Sequence, residues 1–307
     1  MGSETGMKNW EFDKVKDKTV RIDKTLADMM GLVDGGYIYS TLFEYDNESP
    51  KKYELILSTY PQENYRTLTN ITMYIQDVPG SSAQAARFLG DRDINILNSI
   101  SLEGISDTII IWKMLVDLNF AGEVNILAEK FAELKEKNDP SVSKIDHIQI
   151  KPADIGRVFR TEGRSDKIEI RRGVPITLKD NIYDLSVEYG DVFEDFEGES
   201  VMIVADYASW IVSISFFKGE TKLVKIGLEI PDCPGSITQV LDWIASKNVN
   251  LISVFSKIKI CYQTMTLDLV ADFSGCKMPM DEFRIELENA MEGMNGIFIL
   301  TQYEELK

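Results

Sequence analysis

The chain has one histidine, His147, and only three cysteines in 307 residues. Cys233, Cys261 and Cys276 are scattered and show no Cys-x-x-Cys spacing. That excludes a sequence-encoded zinc site or disulfide frame and fits a reducing compartment, so the cytoplasm is the expected location. Positive charge is also scarce. Thirty-three Lys and Arg face fifty Asp and Glu, a formal net charge of −17. A surface that acidic repels phosphate backbones and anionic membranes, which disfavours nucleic acid as a partner. No apolar run reaches the roughly eighteen residues of a spanning helix, so no membrane role is expected. A signal-peptide pattern is missing as well. Phosphate-binding glycine loops, HExxH and GxSxG are absent, and Asp146 beside His147 cannot form a dyad on a strand, where neighbours point to opposite faces. No catalytic residue, metal site or cofactor is therefore expected, and the chain reads as a non-enzyme.

What is present is a repeat. "ITMYIQDVPGSSAQAARFLGDRDINILNSI" from Ile71 aligns without a gap on "IGLEIPDCPGSITQVLDWIASKNVNLISVF" from Ile226. Ile71, Ile75, Asp77, Pro79, Gly80, Ser81, Gln84 and Asn95 match Ile226, Ile230, Asp232, Pro234, Gly235, Ser236, Gln239 and Asn250. Alternation at Ile71, Met73, Ile75 and at Ile226, Leu228, Ile230 predicts strands. Ile237, Val240, Leu241 and Ile244 fall at helical spacing, with Ser82, Ala85, Ala86 and Leu89 on the corresponding face of the first copy. Further strands are expected at "INILNSI" and "VNLISVF", then at "DTIIIWKMLVDL" and "YQTMTLDLVADF". Second helices are expected on Val124, Leu127, Phe131, Leu134 and on Phe283, Leu287, Met291, and each copy closes on a strand. The order is βαββαβ twice, an α+β fold of ferredoxin-like type.

Each copy follows a β-rich stretch, "TVRIDKTLADMMGLVDGGYIYSTLFEY" from Thr19 and "VPITLKDNIYDLSVEYGDVFEDFEG" from Val174. Both read as short strand, short helical stretch, a glycine at Gly35 or Gly190, then strand. The expected organisation is a tail (1–16), a β-rich module (17–65), a βαββαβ domain (66–151), a linker (152–165), a second β-rich module (166–219) and a second βαββαβ domain (220–307). The whole half reads as duplicated.

In the Asp-x-Pro-Gly-Ser turn, Pro sets φ, Gly permits a tight approach, and Ser81 or Ser236 is expected to cap the helix. Free N–H groups at a helix start favour a carboxylate, and the adjacent Asp can take an ammonium. The same turn also serves as a plain strand-to-helix connection with no ligand. Cys233 in the second turn stands where the first has Val78 and reads as a small apolar filler. The acidic run Asp191 to Glu199 reads as a solvated loop.

A strand, Asp-x-Pro-Gly, an amphipathic helix and then Ile/Val-Asn-Ile/Leu resembles the ACT domain family over Leu68 to Lys151 and Lys222 to Tyr303. The resemblance implies small regulatory βαββαβ modules that bind amino acids where two copies meet. It carries the effector contacts onto Asp77, Gly80, Ser81 and Asn95, and onto Asp232, Gly235, Ser236 and Asn250. It also implies a homodimer or an intrachain pseudo-dimer, and a small amino-acid-like effector as partner. The β-rich stretches are similar to AbrB-like swapped hairpins, which interlock in pairs and often bind DNA through arginines. The nearest basic run is "RVFRTEGRSDKIEIRR", with acidic residues interleaved, and it reads as a solvated linker and strand. Three functions follow: an allosteric amino-acid sensor, a ligand-responsive transcription regulator, or a structural module for an enzyme of amino-acid metabolism.

Overall fold

The structure, a computed structural model, describes every residue except 1–9, 46–51, 62–66, 104–107, 119–123, 154–167, 208, 220, 292–297 and 307. Most of the expected linker and of its basic run lies outside the described residues. The fold is α+β, and its chain divides into two compact units, Met1–Phe216 and Phe217–Lys307.

The larger unit starts with β1 (Trp10–Lys14), β2 (Thr19–Arg21), α1 (Lys24–Met29), β3 (Tyr37–Tyr45) and β4 (Lys52–Ser58). A first module follows: β5 (Leu68–Gln76), α2 (Ser81–Gly90), β6 (Asn95–Glu103), β7 (Ile109–Asp117), α3 (Val124–Glu136) and β8 (Ile145–Pro152). Its sheet runs β6-β7-β5-β8, all antiparallel. Ile71, Met73 and Ile75 point to the helices and pack on Ala85, Phe88, Leu89, Leu127 and Phe131. The buried face of α2 is centred on Phe88, while Ser82 is exposed. The expected face was therefore turned by about one residue, because a phenylalanine outcompetes a serine for the core.

The unit is completed by β9 (Ile168–Arg172), β10 (Ile176–Thr177), β11 (Ile182–Asp184), α4 (Ser186–Tyr189), β12 (Ser200–Asp206) and β13 (Ile211–Phe217). Strands from both β-rich stretches share one sheet, in the order β1-β12-β13-β4-β3, with β9 and β10 both along β3. A small ladder pairs β2 with β11. Trp10–Lys14, assigned to a tail from sequence, is a strand registered on Val204–Ser200. Directly after Gly190 comes a loop instead of the expected strand. Phe193 and Phe196 explain it: spaced by three, both are buried, stack edge-on at 5.1 Å and meet Phe216.

Leu55, Leu57, Val212 and Ile214 face one core with α1 and the two phenylalanines. Phe43, Ile56 and Ile211 face the other way, onto Leu68 and Leu115 of the first module. The unbroken apolar run Leu55-Ile56-Leu57 is thus a strand buried on both faces.

The smaller unit is a second module: β14 (Leu223–Pro231), α5 (Ser236–Ser246), β15 (Asn250–Ile260), β16 (Thr264–Asp272), α6 (Met280–Met291) and β17 (Ile299–Leu306). Its sheet order, β15-β16-β14-β17, repeats that of the first module. Val240 and Ile244 of α5 and Phe283, Leu287 and Met291 of α6 close its core, with Ile237 and Leu241 partly buried. Burying each such aliphatic side chain contributes about 1.5–3 kcal/mol. Among the described residues no helix is long and apolar enough to cross a membrane.

Candidate functional site

The two Asp-x-Pro-Gly-Ser turns occupy equivalent corners, between β5 and α2 and between β14 and α5. Gly80 and Gly235 stand at the helix N-caps with φ of 87° and 93°, a conformation that requires glycine. No side chain caps either helix, contrary to the role expected of Ser81 and Ser236. Each serine lies one residue inside the helix and is buried, so its hydroxyl turns back into the turn. Ser81 Oγ donates to the Val78 carbonyl at 2.9 Å, and Ser236 Oγ sits 3.1 Å from Cys233 Sγ. Cys233, expected as a small apolar filler, is exposed, because the turn carries it away from the core.

The backbone amides of Ser81 and Ser236 are used inside their turns. Those of Ser82 and Ala83, and of Ile237 and Thr238, have no acceptor among the described residues. An anion at either corner would meet these two N–H groups and the positive helix end.

The surroundings differ. At the first corner Lys144 Nζ donates to the Pro79 carbonyl at 2.7 Å, and Gln84 bridges the Lys144 amide and the Pro140 carbonyl, both at 2.7 Å. Gly80 and Lys144 open onto a cleft of about 810 Å³ whose other charged lining residues are Arg87, Arg92 and Lys130, with Asp91 as the one carboxylate among them. Lys130 pairs with Glu133 at 2.8 Å, and together with Lys137 it pulls the exposed Glu133 carboxyl down to about 2. Arg92 stacks over Phe88 at 4.1 Å and donates to its carbonyl. Arg87 has no partner among the described residues. In a chain of net charge −17, this is a locally cationic cleft. Asp77 is exposed, makes no side-chain hydrogen bond among the described residues, and does not line the cleft.

At the second corner Asp232 Oδ2 accepts from the Tyr262 amide at 2.7 Å, while the Asp232 amide donates to the Gln263 carbonyl. Its carboxylate is thereby committed to the β15–β16 turn. Lys247, the counterpart of Arg92, lies over Trp243 at 5.0 Å and pairs with Glu286 at 2.6 Å.

Asn95 and Asn250 are not at these corners. Asn95 is level with Asp117 and Leu68, whereas the turn follows Gln76, level with Ile109. Eight strand residues, about 26 Å, separate the two ends. Asn250 is likewise level with Asp272 and Leu223, away from Pro231. Within one module, then, Asp, Gly and Ser come together and Asn does not. Lys144 and the cationic cleft were missed from sequence, because no local signal ties residues 84 and 144 to the turn.

His147 is an exposed strand residue with its ring 5.7 Å from Tyr74, and Asp146 instead accepts from Gln76 at 3.1 Å. Arg171 is held by Asp191, Glu169 and Glu44, and the Asp191 hydrogen bond above all keeps its guanidinium above its usual range. Among the described residues no group of three or more His, Cys, Asp or Glu stands close enough to hold a metal.

The fold and its corners define the class: an α+β chain with two modules of ferredoxin-like order. No family model and no curated protein matches it. Solved structures with likeness include the ligand-free regulatory subunit of aspartate kinase from Thermus thermophilus, 12% identical, covering 74% of this chain and 94% of that one, TM-score 0.21. The acetolactate synthase small subunit from Thermotoga maritima is 9% identical, covering 78% and 96%, TM-score 0.20. An unknown protein from Galdieria sulphuraria is 12% identical, covering 78% and 99%, TM-score 0.26. None of these three is described as an AbrB-like protein. Likenesses this slight carry no argument, so the functional reading rests on the chain's own residues.

Proposed function

We propose that the chain is a non-catalytic regulatory protein that senses a small amino-acid-like effector at the Asp-x-Pro-Gly-Ser corner of its first module. The supporting observation is the pairing of unsatisfied N–H groups at the α2 start with Lys144 and an unpartnered Arg87 in one cleft. This arrangement suits a carboxylate, and the exposed Asp77 beside the turn suits an ammonium. The second corner, its Asp232 bound to Tyr262, has the architectural role in this reading. Both modules derive from one duplicated half. Equivalent features support that: Gly80 and Gly235, Asp93 and Asn248 at positive φ, and Arg92 over Phe88 matching Lys247 over Trp243.

Asn95 lies too far from its own turn to join an effector there. It can do so only for another module, of a second copy or of the same chain, which gives the homodimer or intrachain pseudo-dimer a function: one module's turn faces the other's Asn-bearing strand. Effector binding then shifts the population between packings of the copies. The DNA-binding alternative is weakened by Arg171, whose charge is already met by three carboxylates.

Isothermal titration of the chain with each of the twenty amino acids tests the reading. One or a few should bind, about tenfold more weakly to Asp77→Ala and Lys144→Ala and unchanged to Asp232→Ala. Absence of heat with every amino acid, or no amino acid whose binding weakens in both first-corner variants, would sink it.

A further inference from the structure

The larger unit holds another cavity, of about 700 Å³, on the face of the first module's sheet opposite α2 and α3. Its floor is two rows across the strands. Asn70 and Asn98, registered on either side of Leu115, belong to one, and Thr72, Lys113 and Ile100 to the next. Leu115 closes the dry core against Phe43, Ile56 and Tyr60, so the cavity begins where that apolar contact ends. The facing wall is apolar. Met29 comes from α1, and Tyr207 and Trp210 come from the β12–β13 hairpin.

The wall is built and held. Tyr207 Oη donates to Met29 Sδ at 3.3 Å. The buried Tyr60 hydroxyl donates to the Ser209 carbonyl at 2.6 Å and fixes the hairpin. Asn98 donates to Thr59 Oγ1 at 3.1 Å. Trp210 has φ of 54°, a left-handed conformation that a bulky side chain rarely adopts. Such strain persists only where surrounding contacts dictate it, and it turns up preferentially at functional sites such as ligand clamps.

Two charges complete the cavity. Lys113, from β7, and Asp28, from α1, both line it and are both exposed. Neither has an ion-pair partner among the described residues. An apolar wall, amide groups that both donate and accept, and one unpaired charge of each sign match a zwitterion with a large apolar side chain. We propose that this cavity is a second small-molecule site, for an aromatic or large aliphatic α-amino acid. The carboxylate meets Lys113, the ammonium meets Asp28, and the side chain lies against Trp210 and Tyr207. The assignment is independent of the Asp-x-Pro-Gly-Ser corner, which lies toward the other face of the sheet.

Titration calorimetry of the full chain with L-phenylalanine, L-leucine, 3-phenylpropanoate and 2-phenylethylamine tests it. L-Phenylalanine or L-leucine should bind saturably, and the two analogues lacking one charge should bind about tenfold more weakly or worse. Lys113→Met and Trp210→Gly should each weaken amino-acid binding about tenfold, with melting curves showing both folded. Glycine accepts the positive φ, so the second variant removes the wall without new strain. Asp77→Ala and Lys144→Ala should leave this binding unchanged, which separates it from the first-corner site. The proposal is overturned if neither amino acid binds. It also fails if Lys113→Met and Trp210→Gly bind as the parent does, if the singly charged analogues bind equally well, or if the first-corner variants abolish the signal.

Discussion

The two modules share strand order, turn sequence and left-handed glycines, yet their corners do different things. At the second, Asp232 holds the neighbouring β15–β16 turn through the Tyr262 amide. At the first, the structural tie runs instead from Lys144 to the Pro79 carbonyl, and Asp77 is left exposed. One carboxylate supports backbone; its counterpart is available to solvent. The same five-residue motif can therefore have its carboxylate tied into the backbone in one place and left open to solvent in another. What decides is the segment brought beside it from elsewhere in the chain.

The largest test removes a core anchor from one module. Phe283→Ala, in the buried centre of the second module, should cost about 3–5 kcal/mol. Calorimetric unfolding should show that loss in the transition of the smaller unit and leave the larger unit's transition in place. A single transition shifted as a whole would show that the two units do not unfold independently.

Next come the glycines. Gly80→Ala and Gly235→Ala each force a side chain to positive φ, at about 1–2 kcal/mol. At Gly80 the added Cβ would also stand 3.3 Å from Lys144 Nζ, whereas nothing lies near Gly235. Chemical denaturation should therefore rank Gly80→Ala as the more destabilising. Equal costs would argue that the Lys144 contact is dispensable.

The aspartates give a smaller but more diagnostic contrast. Asp232→Ala loses a charged hydrogen bond and should cost about 1 kcal/mol, while Asp77→Ala should stay within about 0.5 kcal/mol. Denaturant midpoints check this; the reverse order would exchange the roles of the two corners.

The smallest effect is in pH. Arg171 holds the exposed Asp191 carboxyl below its ordinary value, so the pair stabilises the fold above the unfolded carboxyl's range and is lost as pH falls through the folded value. An acid titration of stability should drop slightly less in Arg171→Ala than in the parent below about pH 4. The second module, which lacks this pair, should show no such difference.

Much of the modules could be read from sequence because their signals are local. Ile71, Met73 and Ile75 alternate over adjacent residues, and Val240 and Ile244 share a helical face within one turn. The failures have a common cause. Trp10–Lys14 gains strand structure only through β12, nearly two hundred residues away in sequence, and Phe193 and Phe196 are drawn into a loop by Phe216. Gln84 and Lys144 meet at the first corner for the same reason: their partnership exists only after folding. The cavity under the first sheet was unreadable as well, since Lys113, Asp28 and Trp210 lie on three separate segments.

The seven-stranded sheet draws on segments that flank the first module, with Ser58 paired to Ile211 and Trp10 to Val204. On the ribosome this sets an order of events. The first module can close on its own contacts soon after Pro152 emerges, while the outer edge of β3 waits for β9 and β10 and that of β4 for β13. Closing the module also draws its two ends together on β5 and β8, where Ala153 N donates to the Leu68 carbonyl, and so shortens the loop that the later strands must span. The first module is thus a clasp in the chain's connectivity: its paired ends bring the early half of the sheet beside the half that follows it.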